Sequence, residues 1–205
     1  MAAIKGFGLD IHSPRLNGSL ETLRHDLARC AACGFDYAEI PVHGLDAVLG
    51  GRLHERRVRE VQEILAGFSL RYTVHAPDPL NLMDVERLDL HKAVFAATLA
   101  FAQDIGAEVI TYHAGRVDAL NEKSGYTLEE MQAVEREALR EMGERAAQAG
   151  VKIGVENGSL DSYSSVLEVL VEQVEGVGHP AVGVTLDFGH AFLTAHYHRI
   201  DYIQA

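Results

Sequence analysis

The sequence has no long apolar stretch. None of its runs approaches the roughly 18 to 20 consecutive apolar residues that a membrane-spanning helix needs. Its first residues also lack the basic, then apolar, then small-residue order of a secretory signal. We therefore expect a soluble, cytoplasmic protein that has no membrane partner.

Basic residues are scarce. The chain has 18 Lys and Arg residues against 30 Asp and Glu residues, which gives a formal net charge of −12 at pH 7. This imbalance opposes nonspecific attraction to a phosphate backbone. We therefore do not expect nucleic acid as a partner, although a local basic patch would not show in this total.

Cysteine is also rare, and the two cysteines, Cys30 and Cys33, form one Cys-Ala-Ala-Cys sequence. Redox and metal-binding motifs share this spacing. A redox pair, however, places its first cysteine at a helix N-terminus, where the helix dipole stabilises the thiolate. These cysteines instead close a predicted helix just before Gly34, so we expect both to be small, buried apolar residues.

Glycine-rich phosphate loops are missing, since neither Gly-x-Gly-x-x-Gly nor a Walker pattern follows the first predicted strand.

The chain contains a sixfold alternation of strands and helices, which predicts a parallel sheet with right-handed crossovers. The strands are expected at residues 7–12, 37–43, 70–75, 108–113, 152–156 and 182–187. Ser19, Asp84 and the Thr127–Glu130 pair are predicted helix caps, and residues 191–205 a final helix.

The loop lengths favour a (β/α)₈ TIM-barrel type of fold over an open doubly wound sheet. The loops that follow strands at residues 44–53, 76–83 and 114–126 are long, whereas the turns from helix to strand are short. Barrel enzymes keep their chemistry on the loops at the carboxyl ends of their strands. We therefore expect α/β architecture with about six βα units in one domain over residues 1–205.

The strand ends carry the strongest functional signal, because each ends in a polar residue of metal-ligand type. Consecutive members are 31 to 43 residues apart, the length of a βα unit, so they should ring one mouth of the barrel. Nitrogen and oxygen donors without thiolates suit zinc, manganese, cobalt or magnesium. The pattern therefore predicts a divalent metal site. The six residues are His12, His43, His75, His113, Glu156 and Asp187.

Four segments in this order resemble a known superfamily. They are Thr73-Val-His75-Ala-Pro77 with Asn81, Thr111-Tyr-His113-Ala-Gly115, Gly154-Val-Glu156-Asn157-Gly158, and Leu186-Asp187-Phe-Gly-His190-Ala-Phe192. Together they resemble the xylose-isomerase-like barrels, from about residue 6 to the end of the chain. That superfamily holds sugar and sugar-phosphate isomerases and epimerases, inosose dehydratases, and apurinic endonucleases of the endonuclease IV type.

The resemblance implies roles for individual residues. Glu156 and Asp187 match metal ligands, and His75 and His113 match positions that bind zinc in the nuclease branch and contact metal or substrate elsewhere. His190 matches either another ligand or a histidine that touches substrate hydroxyls. Glu39 lies near a substrate-facing acid of the isomerases, although an ordinary strand residue would look the same. We assign three further polar residues, His12, His43 and Asn157, to substrate binding.

The activity that the resemblance implies is a divalent-metal-dependent isomerase or epimerase of a small sugar or sugar phosphate. Such a reaction removes a proton beside a carbonyl group and passes through an enediolate. Glu156 would be ligand and proton shuttle, Asp187 a ligand, and His190 the residue that orients the sugar hydroxyl. Two alternatives stay open: an endonuclease IV-like apurinic endonuclease, favoured by the three histidines His75, His113 and His190, and an incomplete or non-catalytic relative.

One departure from the family pattern concerns length. Family barrels have eight strands, and the last two contribute a His and a Glu to the site. By the observed repeat, a seventh strand would end 31 to 43 residues past Asp187, beyond Ala205. We therefore expect a domain that lacks its C-terminal two βα units. The open sheet edges invite pairing with another chain, so we also expect self-association.

Overall fold

A computed structural model describes residues 4–11, 13–158, 160 and 162–199. Its strands are β1 (Gly8–Asp10), β2 (Tyr37–Pro41), β3 (Val48–Leu49), β4 (Arg52–Leu53), β5 (Arg71–His75), β6 (Val109–His113), β7 (Lys152–Glu156) and β8 (Val182–Thr185). Its helices are α1 (Ser13–Leu16), α2 (Leu20–Ala32), α3 (Glu55–Leu65), α4 (Leu88–Asp104), α5 (Ala119–Lys123), α6 (Leu128–Ala149), α7 (Leu167–Val177) and α8 (Phe188–His198). Two 3₁₀ turns cover Val42–Leu45 and Tyr163–Ser165.

The parallel sheet predicted from the alternation of strands and helices is confirmed. Six strands lie side by side in the order β1-β2-β5-β6-β7-β8, and each is parallel to the next. Strands β3 and β4 form a small antiparallel pair within the loop after β2. Helices connect the successive strands of the large sheet, as βα units require.

The two faces of the sheet differ in polarity. Ile40, Val74 and Ile110 are buried in the hydrophobic core, together with the apolar side chains of the helices. Because side chains alternate along a strand, the neighbouring residues point to the opposite, inner face. Several side chains on this face are polar and partly buried, such as those of Glu39 and His75. The inner face of the sheet therefore ends at the carboxyl ends of the strands, where the site residues are predicted.

Several predicted element boundaries are wrong. Strand β1 has three residues, and β2 ends at Pro41, after which His43 lies in a 3₁₀ turn. Asp84 does not cap α4, which begins at Leu88; its carboxylate instead accepts bonds from Arg87 and Asn121 in a buried polar cluster. The final helix begins earlier than predicted, at Phe188, and the predicted part beyond residue 199 lies outside the described residues.

The predicted caps of two other helices are confirmed. The Ser19 side chain accepts from the Thr22 N–H at the start of α2, and Thr127 and Glu130 form a complete capping box on α6. Cys30 is buried as expected, but the prediction for Cys33 is wrong because this residue is exposed. It terminates α2 beyond the buried stripe of that helix.

The outer strands are more exposed than the sequence suggested. A short, β-branched apolar run such as residues 182–187 is typical of a strand that is buried on both faces, but Val184 and Leu186 are each 42% exposed. Among the described residues, β8 pairs only with β7 and β1 only with β2, so both strands are edges. Self-association through these edges stays a prediction. None of the described helices is long and apolar enough to cross a membrane.

Candidate metal and substrate site

Three predicted ligands meet at the carboxyl edge of the sheet. His75, His113 and Glu156 are the last residues of the adjacent strands β5, β6 and β7, and the register places His113 directly beside Glu156. Glu156 Oε2 lies 2.9 Å from His113 Nε2 and 3.9 Å from His75 Nε2. One donor atom from each of the three lies within 4.8 Å of the others, which is close enough for one ion.

The tautomer of His75 suits this arrangement. Its Nδ1 lies 2.8 Å from the Ala76 carbonyl oxygen, which can only accept a hydrogen bond. In the neutral ring the proton therefore sits on Nδ1, and the Nε2 lone pair faces Glu156. Metal-binding histidines commonly donate their other ring N–H in this way.

Glu156 itself has an unsatisfied atom. The residue is 7% exposed, and its Oε2 atom is buried and accepts no hydrogen bond of good geometry from the described residues. Glu156 Oε2 nevertheless lies 2.9 Å from His113 Nε2, and its interaction with this ring raises the pKa of His113, against the lowering effect of burial. A buried carboxylate oxygen between two imidazole nitrogens fits a divalent cation, because the ion would supply the missing interaction.

A second group overlaps the first and contains a residue that the sequence did not single out. His43, His75 and Asp78 also bring donor atoms within 4.8 Å of one another. His43 Nε2 lies 2.7 Å from Ser13 Oγ and 3.5 Å from Asp78 Oδ2, and burial lowers the pKa of this histidine. Asp78 lies three residues beyond the end of β5, in a loop, so the spacing of the strand ends does not single it out.

Asp187 and His190 lie in neither group, although both were predicted site residues. Asp187 is the N-cap of α8, and its Oδ1 accepts from the His190 N–H at 2.7 Å. The fully buried Asn157 joins this turn to the end of β7, because its amide accepts from the Asp187 N–H and donates to the Asp187 carbonyl. His190 Nδ1 is buried and has no hydrogen-bond partner in the part of the chain that the structure describes.

Glu39 occupies the inner face of β2, below the histidines. Its Oε1 accepts from Thr111 Oγ1 at 2.6 Å. Burial raises the pKa of Glu39, and the Thr111 hydrogen bond and the nearby His75 only partly oppose this. The last predicted site residue, His12, lies outside the described residues.

A buried carboxylate on α6, which the sequence reasoning missed, holds the loops around the site. Glu135 is completely buried; its Oε1 accepts from Tyr112 Oη and the Gly115 N–H, and its Oε2 from Tyr163 Oη and Gln173 Nε2. Burial raises the pKa of Glu135, although these four donors oppose the shift. The sequence signal for Glu135 is its position on the apolar stripe of α6, because it lies four residues from Met131 and four from Leu139.

The Glu135 contacts connect three loops of the mouth. Gly115 follows β6, Tyr163 follows β7, and Tyr112 Oη also accepts from the Leu82 N–H in the loop after β5. Gly115 must be glycine here, since an added Cβ would lie 2.8 Å from Glu135 Oε1 and still closer to Met83. One buried side chain therefore fixes the loops that follow β5, β6 and β7.

Comparison with known proteins identifies the family. The model of the xylose isomerase-like TIM barrel family matches residues 27–204. The chain therefore belongs to the xylose isomerase-like TIM barrel family, and the predicted TIM-barrel type of fold and superfamily are confirmed. No curated protein matches the chain.

Several solved structures are similar to the chain. A D-tagatose 3-epimerase-like protein is 23% identical, with a TM-score of 0.71 over 91% of this chain and 66% of the other. The D-psicose 3-epimerase of Clostridium cellulolyticum H10, crystallised with D-tagatose, is 18% identical, with a TM-score of 0.73 over 92% and 65%. A xylose isomerase-like TIM barrel protein from Mycobacterium smegmatis, in complex with magnesium, is 20% identical, with a TM-score of 0.65 over 86% and 59%.

These comparisons show the fold. The chain spans about two thirds of the length of the structures it matches, and at identities below 25% one scaffold can carry several chemistries.

Replacing Glu135 by Leu should destabilise the protein by at least about 3 kcal/mol, because each buried donor left without an acceptor costs about 1–3 kcal/mol. Urea unfolding followed by circular dichroism measures the change. The matched control is Glu129→Leu on the exposed side of the same helix, which should change stability by less than about 1 kcal/mol. Equal effects of the two substitutions would contradict the bridging role of Glu135.

Replacing Glu39 by Gln should stabilise the metal-free protein at neutral pH. The pKa of the Glu39 carboxyl group is higher in the folded than in the unfolded protein, so the folded protein holds this proton more tightly. The free energy of unfolding of the wild type therefore falls as the pH rises from the unfolded-state pKa to the folded-state pKa. Gln stays neutral and can still accept from Thr111. The advantage of Glu39→Gln over wild type should therefore disappear below about pH 4.

Unfolding curves between about pH 3.5 and 8, a range that spans the ordinary pKa of a Glu carboxyl group, would test this in the presence of a chelator. The exposed Glu122→Gln is the control. A stability advantage of Glu39→Gln that does not change with pH would contradict the assignment of a raised pKa to the Glu39 carboxyl group.

Proposed function

We propose that the protein is a divalent-metal-dependent isomerase or epimerase of a small sugar or sugar phosphate. The observation that carries the proposal is the buried Glu156 Oε2, which lies between His75 Nε2 and His113 Nε2 and has no well-formed hydrogen bond to any described residue. The similar structures support the substrate class, since they include a D-psicose 3-epimerase with D-tagatose and a D-allulose 3-epimerase with D-allulose. The similar protein in complex with magnesium supports a divalent ion.

The donor set narrows the choice of ion. Two imidazole nitrogens and one carboxylate oxygen suit zinc, manganese or cobalt better than magnesium, which prefers oxygen ligands. His75, His113 and Glu156 would hold the ion. Asp187 is a further proposed ligand through Oδ2, because Oδ1 is the acceptor of the helix cap.

The proposed chemistry divides among the residues of the mouth. When bound, the ion would stabilise negative charge that builds on a substrate oxygen as a proton leaves the neighbouring carbon. Glu156 is the proposed carrier of that proton, in addition to holding the ion. Glu39 would face the substrate as a carboxyl group with a raised pKa. His43 and His190 would contact the sugar hydroxyls, and Asn157 would hold the turn that carries Asp187.

One observation also favours an apurinic endonuclease. The His75–His113–Glu156 group involves both histidines whose positions resemble zinc-binding positions in the nuclease branch. The net charge of −12 opposes this function, because such a chain has few cations with which to neutralise phosphates. The sugar reaction is therefore the proposed function, and cleavage of abasic DNA is measured as the alternative.

Glu156→Gln should weaken metal binding by at least about tenfold, because a neutral amide is a poorer donor to a cation than a carboxylate. Calorimetric titration of the chelator-treated protein with Mn²⁺, Co²⁺ and Zn²⁺ measures the affinity. In D₂O the wild-type protein with Mn²⁺ should incorporate deuterium beside the carbonyl group of D-tagatose or D-psicose, as followed by NMR. Glu156→Gln should abolish this incorporation, and Glu122→Gln is the control.

Wild-type protein that binds no divalent ion would contradict the proposed site. Exchange that survives in Glu156→Gln would remove this residue from the proton transfer. Incision of abasic DNA by the wild type, abolished in His113→Ala, would favour the endonuclease.

A further inference from the structure

The carboxylate of Asp78 faces one nitrogen of each of three histidines. Its Oδ2 lies 3.5 Å from His43 Nε2, and its Oδ1 lies 3.9 Å from His75 Nδ1 and 3.8 Å from His113 Nδ1. The Asp78 side chain is 56% exposed, whereas the imidazoles are more buried. Asp78 therefore lies on the solvent side of the histidine cluster, opposite the buried Glu156.

The backbone holds Asp78 in this place from several directions. The residue lies between Pro77 and Pro79, whose rings fix their own φ angles and restrict the residues before them. The Asp78 carbonyl accepts from Arg116 Nη1 at 3.3 Å, and the Leu80 N–H donates to the Pro77 carbonyl at 2.8 Å. The carboxylate is thus presented to the histidines by a constrained loop.

His113 is the histidine for which Asp78 matters most. Its Nε2 faces Glu156, so binding an ion there requires the ring proton to sit on Nδ1. His75 meets this requirement through the Ala76 carbonyl, but in the described parts of the chain His113 Nδ1 has no hydrogen bond. Asp78 Oδ1 is the carboxylate oxygen that faces it, at a distance that one bridging water or a small side-chain rotation would close.

We infer that Asp78 is a positioning residue of the metal site. It accepts the Nδ1 proton of His113, directly or through one water, and so keeps His113 Nε2 available to the ion. This inference rests on the metal site proposed above. It assigns to Asp78 the part that a carboxylate plays behind a metal-binding histidine, which fixes the tautomer and raises the basicity of the ligand.

Asp78→Asn should lower the affinity of the full chain for Zn²⁺ by about 10- to 100-fold, with an unchanged number of bound ions, because an amide is a weaker acceptor for the imidazole proton. Asp78→Glu should recover part of the affinity. Asp104→Asn makes the same charge change at an exposed site on α4 and should bind like wild type. Calorimetry on chelator-treated protein measures affinity and stoichiometry, and thermal unfolding should show equal stability of all four proteins without metal.

A second measurement separates positioning from general electrostatics. In NMR spectra of the Zn²⁺-bound protein, the His113 Nδ1 proton should exchange with water more slowly in wild type than in Asp78→Asn. Wild type that binds no Zn²⁺ would refute the proposed metal site itself. Binding by wild type with equal affinity in Asp78→Asn would leave that site standing and overturn the role of Asp78. Loss of one of two bound ions would also overturn it, since Asp78 would then be a ligand.

Discussion

The arrangement of the site depends on the burial of one carboxylate, that of Glu156. Parallel register brings this residue beside His113 at the edge of the sheet, and the inner face of β5 supplies His75. A buried charged oxygen without a hydrogen bond is unfavourable unless a cation or donor approaches it. No described residue gives Glu156 Oε2 a well-formed hydrogen bond, and the two imidazole nitrogens beside it are potential ligands of one ion.

Glu135 shows that the same chain can satisfy a buried carboxylate completely. This residue receives four hydrogen bonds, from the ends and loops of β6 and β7 and from α7, and it belongs to neither group of potential metal ligands among the described residues. The two buried glutamates therefore differ in their partners rather than in their depth. Hydroxyl, amide and backbone donors satisfy Glu135, whereas Glu156 Oε2 faces the imidazole nitrogens of His75 and His113 and has no well-formed hydrogen bond to any described residue. The rigidity that Glu135 gives to the loops also limits how far the ends of β5, β6 and β7 can move apart.

The sequence predicted those features that follow from periodicity and spacing. The six strands, their parallel order and the convergence of His75, His113 and Glu156 follow from the repeat of the βα unit, because parallel strands bring their carboxyl ends to one edge. The roles of Asp78 and Glu135 could not be predicted from this repeat. Asp78 reaches the site through a loop whose path depends on tertiary hydrogen bonds, and Glu135 sits on a helix face that looks purely structural until its partners are known.

Asp187 was predicted as a metal ligand at the end of a strand, but in the structure its side chain caps helix α8. The sequence reads as a strand that continues to this residue, but α8 begins directly after it, and the unpaired N–H groups of a helix start attract a carboxylate. The cap uses Oδ1 and fixes the side chain, while Asn157 fixes the backbone from the end of β7. Capping and ion binding need not compete, since a carboxylate has two oxygens. If Asp187 binds the proposed ion through Oδ2, the helix cap on Oδ1 can remain in place.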